Sequence, residues 1–478
     1  MSFKYNLVVI GGGAAGLVSS IIGSALKAKV ALIEKDKMGG DCLNTGCVPS
    51  KALLKTAKVA QQIKNAEKYG LKNASFELDF KDIMNRVHEM IKTIEPNDSI
   101  ERFTSLGVDC YTGNAEIIDS HTVKVNNEIL TTKNIILAHG AEPFVPNIKG
   151  IQSIPFLTSE NLWDLDYLPK RLIVLGGGPI GTEMTQSFQR LGSKVTQVEM
   201  LDRILIKEDP EVSDVISNTL LAEGVEILTN TLAKEIKSDG SEKYLICENT
   251  QTKENIEIPF DEILVATGRK ARSIGANYEA LGINLRKNGT IDVDKYLRAN
   301  GKNIFACGDV TGPYQFTHAA SHQAFYCAFN ALLRPLKLKV DYSVMPWVTF
   351  SDPEVARVGL SELEAKEQNI PYSIYTHETG ELDRAIADSE TKGFLKILTK
   401  PGTDKILGAT IVAQNAGEML TEVTLAMRHK LGLNSILGTI HPYPTMSEGN
   451  KFVAGAWKKS TVTPFKLKLA EFIMNIKR

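Results

Sequence analysis

The sequence predicts an α/β fold in which one parallel βαβ unit is used twice and a separate α+β domain follows. Three observations carry this reading. A β-branched run, YNLVVI (5–10), ends in the glycines GGGAAG (11–16), continues as a helical stretch to about Lys27 and returns as KVALIE (29–34), closing on Glu34. The pattern recurs as RLIVLGGGPIG (171–181), a helix, and KVTQVE (194–199), closing on Glu199. From about residue 345 onward there is no third copy; strand-like runs (FLKIL, ILGATIVA) accompany one helical run, EMLTEVTLAMRHKLG.

Each element of the repeated unit has a physical task. Gly11 and Gly176 allow a tight turn, Gly13 and Gly178 let backbone approach a pyrophosphate, and Gly16 and Gly181 let helix and strand pack closely. The helix N-terminus then offers free N–H groups and partial positive charge to phosphates. Glu34 and Glu199 stand where a carboxylate accepts hydrogen bonds from ribose hydroxyls. A lone G-x-G-x-x-G is weak evidence, but here 23 positions separate the first glycine from the acid in both copies. Two Rossmann-like dinucleotide-binding domains are therefore expected. ILAHGAEP (136–143) and LVATGRKA (264–271) are further strand-then-glycine turns, through Gly140 and Gly268. NIFACGDVTG (303–312) ends a strand at Gly308–Asp309, and an acid at a strand's carboxyl end lies where open α/β sheets bind ligands.

A chain of 478 residues is too long for one hydrophobic core. Its formal net charge of −1 sets nucleic-acid binding aside. No apolar stretch is long enough to span a bilayer and no signal peptide precedes the first motif, so a cytoplasmic chain is expected. Six cysteines do not make a disulfide scaffold. Cys110, Cys247, Cys307 and Cys327 are scattered and read as small core residues.

Cys42 and Cys47 are close in sequence, within GGDCLNTGCVPSKALL (39–54). A helix starting near Pro49 places Cys47 at its N-terminal end, which lowers a thiol pKa, and Lys51 adds positive charge. A zinc half-site would also bring two cysteines together, but no second Cys/His pair has ligand spacing, and no metal is expected. The pair reads as redox-active.

These motifs, together with GGGPIGTE, VATGRK, ACGDVTG, MPWVTFSDPEVARVG and HPYPTMSE, make the chain resemble the class I pyridine nucleotide–disulfide oxidoreductases over nearly its whole length. The resemblance implies a flavoenzyme carrying electrons from a nicotinamide cofactor through FAD to Cys42 and Cys47. It implies an FAD-binding domain over 1–150 and 272–344, a NAD-binding domain over 151–271, and a C-terminal dimerisation domain over 345–478. Cys47 would face the flavin and Cys42 would meet substrate. Lys51 would sit near the flavin and pair with Glu183, and Asp309 would hold the ribityl and phosphate part of FAD. Gly113 and Ala115 would lie near the adenine, and Gly40, Gly140 and Gly268 would join the cofactor contacts. The homodimer would share its active sites, with HPYPTMSE reaching the partner's cysteines. One departure stands beside the cysteines: Asp41 occupies a place usually held by threonine near the FAD pyrophosphate, so its charge needs compensation, for which helix N–H groups are the first candidates.

Glu199 favours NAD over NADP. A carboxylate there repels a 2′-phosphate, by roughly 4 kcal/mol per charge pair at ~4 Å and an effective dielectric near 20. Arg203, close in sequence, would soften this. In the resembled family a histidine five residues before Glu448 moves protons; here that position is Tyr443, and His441 lies out of register. Tyrosine, with a pKa of about 10, is a poor base. Mercuric reductases carry tyrosine at this place, although their C-terminal cysteine pair is missing here. His318, in FTHAASH, is like dihydrolipoamide dehydrogenase. Three readings follow: a mercuric-reductase-like NADH oxidoreductase acting on a metal ion, thiol adduct or other small oxidant; a dihydrolipoamide dehydrogenase using His441; and a slowly turning FAD-binding redox sensor. The tail TVTPFKLKLAEFIMNIKR is basic and somewhat amphipathic; between a membrane-surface role and packing on the dimer interface, the latter is the expectation.

Overall fold

A computed structural model describes residues 2–240, 242–272 and 278–478. Met1 and residues 273–277 of the expected flavin domain, and Ser241 of the expected nicotinamide domain, lie outside the described residues. The chain forms two compact units, residues 1–200 with 231–341, and residues 201–230 with 342–478.

The first unit holds both copies of the repeat. β1 (Leu7–Ile10), α1 (Ala14–Ala25) and β2 (Val30–Glu34) form the first. The Gly40–Asn44 turn of helix (α2) and the longer α3 (Cys47–Lys64) follow, then β3 (Val108–Thr112) and β4 (Ile135–Leu137). The second copy is β5 (Arg171–Leu175), α4 (Pro179–Leu191) and β6 (Lys194–Val198), with β7 (Glu262–Val265) beside it. β8 (Ile304–Ala306) and α5 (Thr317–Leu332) close the unit.

One parallel sheet has the order β8-β4-β1-β2-β3. In another, β5 lies between β6 and β7, again parallel. β1, β4 and β5 are buried along almost their whole length, as strands covered on both faces must be. A two-stranded pairing of Ala141–Pro143 with Arg269–Ala271 links the segments after the two expected glycine turns.

The second unit carries an antiparallel sheet. In chain order its strands are β9 (Pro346–Thr349), β10 (Glu354–Gly359), β11 (Ser373–Glu378), β12 (Phe394–Thr399) and β13 (Ile406–Ala413), arranged β9-β10-β13-β12-β11. The helices α6 (Ala416–Arg428) and α7 (Glu448–Ser460) pack on it, and α8 (Pro464–Ile476) ends the chain. FLKIL, ILGATIVA and EMLTEVTLAMRHKLG thus form the strands and helix their patterns predict. Segment 201–230 joins this unit through buried charge. Arg357 stacks on Trp347 at 4.2 Å and pairs with Glu208 at 3.2 Å, while Lys396 pairs with Asp209 at 2.5 Å. Removing one partner of such a buried pair costs ~3–5 kcal/mol.

Candidate active site

The two glycine turns have one backbone. Gly11 and Gly176 adopt φ of +110° and +117°, where a Cβ would overlap the backbone at Ala138 and Ala266 respectively. A Cβ on Gly16 would overlap the carbonyl oxygen of Gly11, and one on Gly181 that of Gly176. The acids close each turn: Gly12 N–H donates to Glu34 at 2.5 Å, and Gly177 N–H to Glu199 at 2.6 Å. The helices α1 and α4 follow directly, so each turn presents unpaired N–H groups. The open ground lies at the middle glycines: a Cβ on Gly178 would meet nothing within 4 Å and one on Gly13 only the Gly40 Cα at 3.7 Å, room beside each helix N-terminus that fits a dinucleotide pyrophosphate.

The other expected contact residues fall around the first turn or in paired positions. Gly113, with φ of +149°, donates its N–H to the Glu34 carbonyl at 2.8 Å, and Ala115 begins the next strand. Gly140 and Gly268 both have positive φ and open space where a side chain would point. Gly40 stands so close to Gly13 that a Cβ on it would lie 2.7 Å from the Gly13 Cα. Gly308 N–H donates to the buried Gln323 of α5 at 2.6 Å, which fixes the turn that carries Asp309.

Helix α3 begins at Cys47 itself, two residues earlier than Pro49 suggested. The Cys47 Sγ lies 3.3 Å from the Thr317 hydroxyl, and Thr317 is the first residue of α5. Two helix N-termini therefore meet at one sulfur. Both cysteines are free thiols here. The Cys47 thiol is pulled down to about 6, first by a hydrogen bond from Cys42, then by Thr317 and the Lys51 charge, against the opposing effect of burial. The Cys42 thiol is pushed up, by that same hydrogen bond and by burial. Lys51 pairs with the buried Glu183 of α4 at 3.0 Å, tying the cysteine helix to the second repeat.

The Asp41 charge is met by arginines, not by helix N–H groups. Arg269 pairs with one carboxylate oxygen, and Arg272 lies 3.5 Å from the other. Arg269 also approaches Asp309 at 3.6 Å. Burial pushes the Asp309 carboxyl up to about 6, with Arg269 pulling it down and Asp41 adding to the rise. Arg269, within VATGRK, carries no local mark of a role; the signal in the sequence is an acid at 41 that needs a cation. His139, which stands in the first turn where the second has Thr267, is likewise unmarked by any spacing rule. Burial lowers the His139 imidazole to about 4, and Tyr278 lies 3.3 Å from its Nε2.

In the second unit, Tyr443 is 71% exposed and donates to Asp383 at 2.9 Å, which raises its phenol pKa. Glu448 is buried at the start of α7 and accepts from Thr445 N–H at 3.3 Å. His441 is buried against Glu422 at 2.9 Å, with its other nitrogen 3.0 Å from the Thr439 carbonyl. His441 is thus paired with Glu422 and not with Glu448. His318 stacks on Phe316 at 5.4 Å.

The pattern that defines the family "Pyridine nucleotide-disulphide oxidoreductase" matches residues 5–324, and that of its dimerisation domain matches residues 345–453. The chain belongs to this family. The oxidoreductase is 34% identical to the mercuric reductase of Bacillus cereus, over 96% of this chain and 72% of that protein. It is 35% identical to the dihydrolipoyl dehydrogenase of Chlamydia pneumoniae, over 94% and 96% of the two chains. It is similar in structure to the HOCl-induced flavoprotein disulfide reductase RclA from Escherichia coli, with a TM-score of 0.84 and 30% identity over 94% of this chain and 99% of that one. Family members depend on FAD and use NAD(P)H, and the dimerisation domain points to a homodimer. Among the described residues no helix is long and apolar enough to cross a membrane.

Proposed function

We propose that this oxidoreductase takes electrons from NADH, in preference to NADPH, and delivers them through the Cys42–Cys47 pair to a small acceptor, in the manner of a mercuric reductase. The observation that carries the reading is the Cys47 thiol, lowered to about 6 at the meeting of two helix N-termini. NADH and one proton together supply what reduces the disulfide to two thiols. When bound, FAD relays electrons between the nicotinamide and that disulfide. Cys47 would then release its proton and stand as thiolate, while Cys42 gives its proton to the acceptor or to water as its sulfur bonds the acceptor; the two sulfurs rejoin as the disulfide when the reduced acceptor leaves with the two electrons. The Lys51–Glu183 pair holds a positive charge beside Cys47, and Asp309 with Gly113 and Ala115 contacts FAD. In this reading residues 1–150 and 272–344 bind FAD, and residues 151–271 bind NADH through Glu199.

The dihydrolipoamide reading needs a base at the partner's segment. His441 has both ring nitrogens engaged, and Tyr443 faces an acid that keeps its phenol protonated. Steady-state rates with NADH against Hg(II), glutathione disulfide, lipoamide and quinones test the proposal. Fast turnover with lipoamide, lost in His441→Gln, would replace it with the dehydrogenase reading. No bleaching of the flavin by NADH under anaerobic conditions would sink both.

A further inference from the structure

The dimerisation-domain match ends at residue 453, and the chain continues for one more helix. Thr463 caps α8, and every residue of that helix is exposed. Phe465, Leu469, Phe472, Ile473 and Ile476 recur at i, i+4, i+7, i+8 and i+11, so they form one apolar stripe. Phe465 and Phe472 are 74% and 63% exposed. Lys466 and Lys477 flank the stripe on one side and Lys468 on the other, by helical spacing. Residues 458–478 carry six basic groups and one acid, Glu471, in a chain whose net charge is −1.

An aromatic-rich stripe between rows of lysine suits an interface of hydrocarbon and anionic headgroup, where the stems of lysine snorkel outward. A second copy of the helix suits it less. A symmetric pairing sets each stripe against itself and brings lysines of one copy beside lysines of the other. We propose that α8 is a surface anchor that seats the oxidoreductase on anionic phospholipid bilayers. The helix is too short to span and lies in the headgroup plane.

Full-length, FAD-loaded protein is sedimented with vesicles of phosphatidylcholine alone or mixed with phosphatidylglycerol. Partition is expected only with the anionic vesicles, and added salt weakens it. Lys466→Glu with Lys468→Glu should lower it by about tenfold or more. Leu469→Glu with Phe472→Glu should abolish it, while flavin bleaching by NADH and the mass by light scattering stay unchanged. Absence of partition onto anionic vesicles overturns the proposal. So does a fall in mass of the Leu469→Glu/Phe472→Glu protein, which would assign the stripe to contact between copies.

Discussion

In the first glycine turn the backbone of Gly40 stands 3.7 Å from the Cβ that Gly13 lacks, whereas nothing comes within 4 Å of the corresponding point on Gly178. The two turns agree in their strands, their positive φ, their acid and their close helix approach. They differ in what the chain does next. After the first, Gly39–Gly40 folds back over the turn and leads within two residues to Cys42. After the second, the space is left open. The first turn is walled by the segment that carries the thiols, which suits a resident cofactor. The second suits one that arrives and leaves.

Blocking each turn gives the largest expected effect. Gly16→Val drives a side chain into the Gly11 carbonyl, and the protein is expected to purify without FAD, read from its absorbance spectrum at unchanged circular dichroism. Gly181→Val makes the same overlap with Gly176, yet should keep FAD and lose reduction by NADH. Loss of FAD from both, or from neither, would break the comparison.

Cys42→Ala acts only on the first turn's extension. The hydrogen bond from Cys42 is the largest effect holding the Cys47 thiol near 6, so its removal raises that pKa. Alkylation of Cys47 by iodoacetamide, followed against pH, should shift upward by about one pH unit or more. The sign for stability is that of a depressed acid. The thiolate's contribution is complete above the ordinary thiol pKa of ~8.5 and is lost as pH falls through about 6. Chemical denaturation of Cys42→Ala should therefore show less gain in stability between those pH values.

Glu199→Gln is the gentlest change. The amide oxygen can still accept from Gly177 N–H, so the turn stays closed while the charge goes. The ratio of kcat/KM for NADPH to NADH should rise about tenfold, well below the full repulsion of ~4 kcal/mol because the group is partly solvated. No change in the ratio would mean that Glu199 does not set the preference.

Much of this architecture could be read from the sequence because its signals are local. Glycines, helix, second strand and acid follow one another within 24 residues in each copy. The cysteine pair likewise announces itself, although the helix starts at Cys47 instead of Pro49. What could not be read depends on distant chain. Asp41 finds Arg269 across 228 positions and Cys47 finds Thr317 across 270, and no spacing rule predicts either. Cys247, Cys307 and Cys327 are buried, as their residue type predicts, whereas Cys110 is only half-buried; the packing of Cys307 with Cys327 follows from the fold, not from their separation. His441 is the instructive case. Two positions out of register were enough to place it in a buried pair with Glu422.

The sheet that holds the first turn is completed by β8, at residues 304–306, pairing with β4 at 135–137. The second repeat lies between those strands in the chain. A nascent polypeptide thus displays its earliest glycine motif long before the sheet around it can close. The second turn, whose strands all fall within 171–265, can assemble while the first still waits. Closure of the first turn's sheet is then a late event in synthesis, and a chain truncated before β8 would carry the motif without the sheet that supports it.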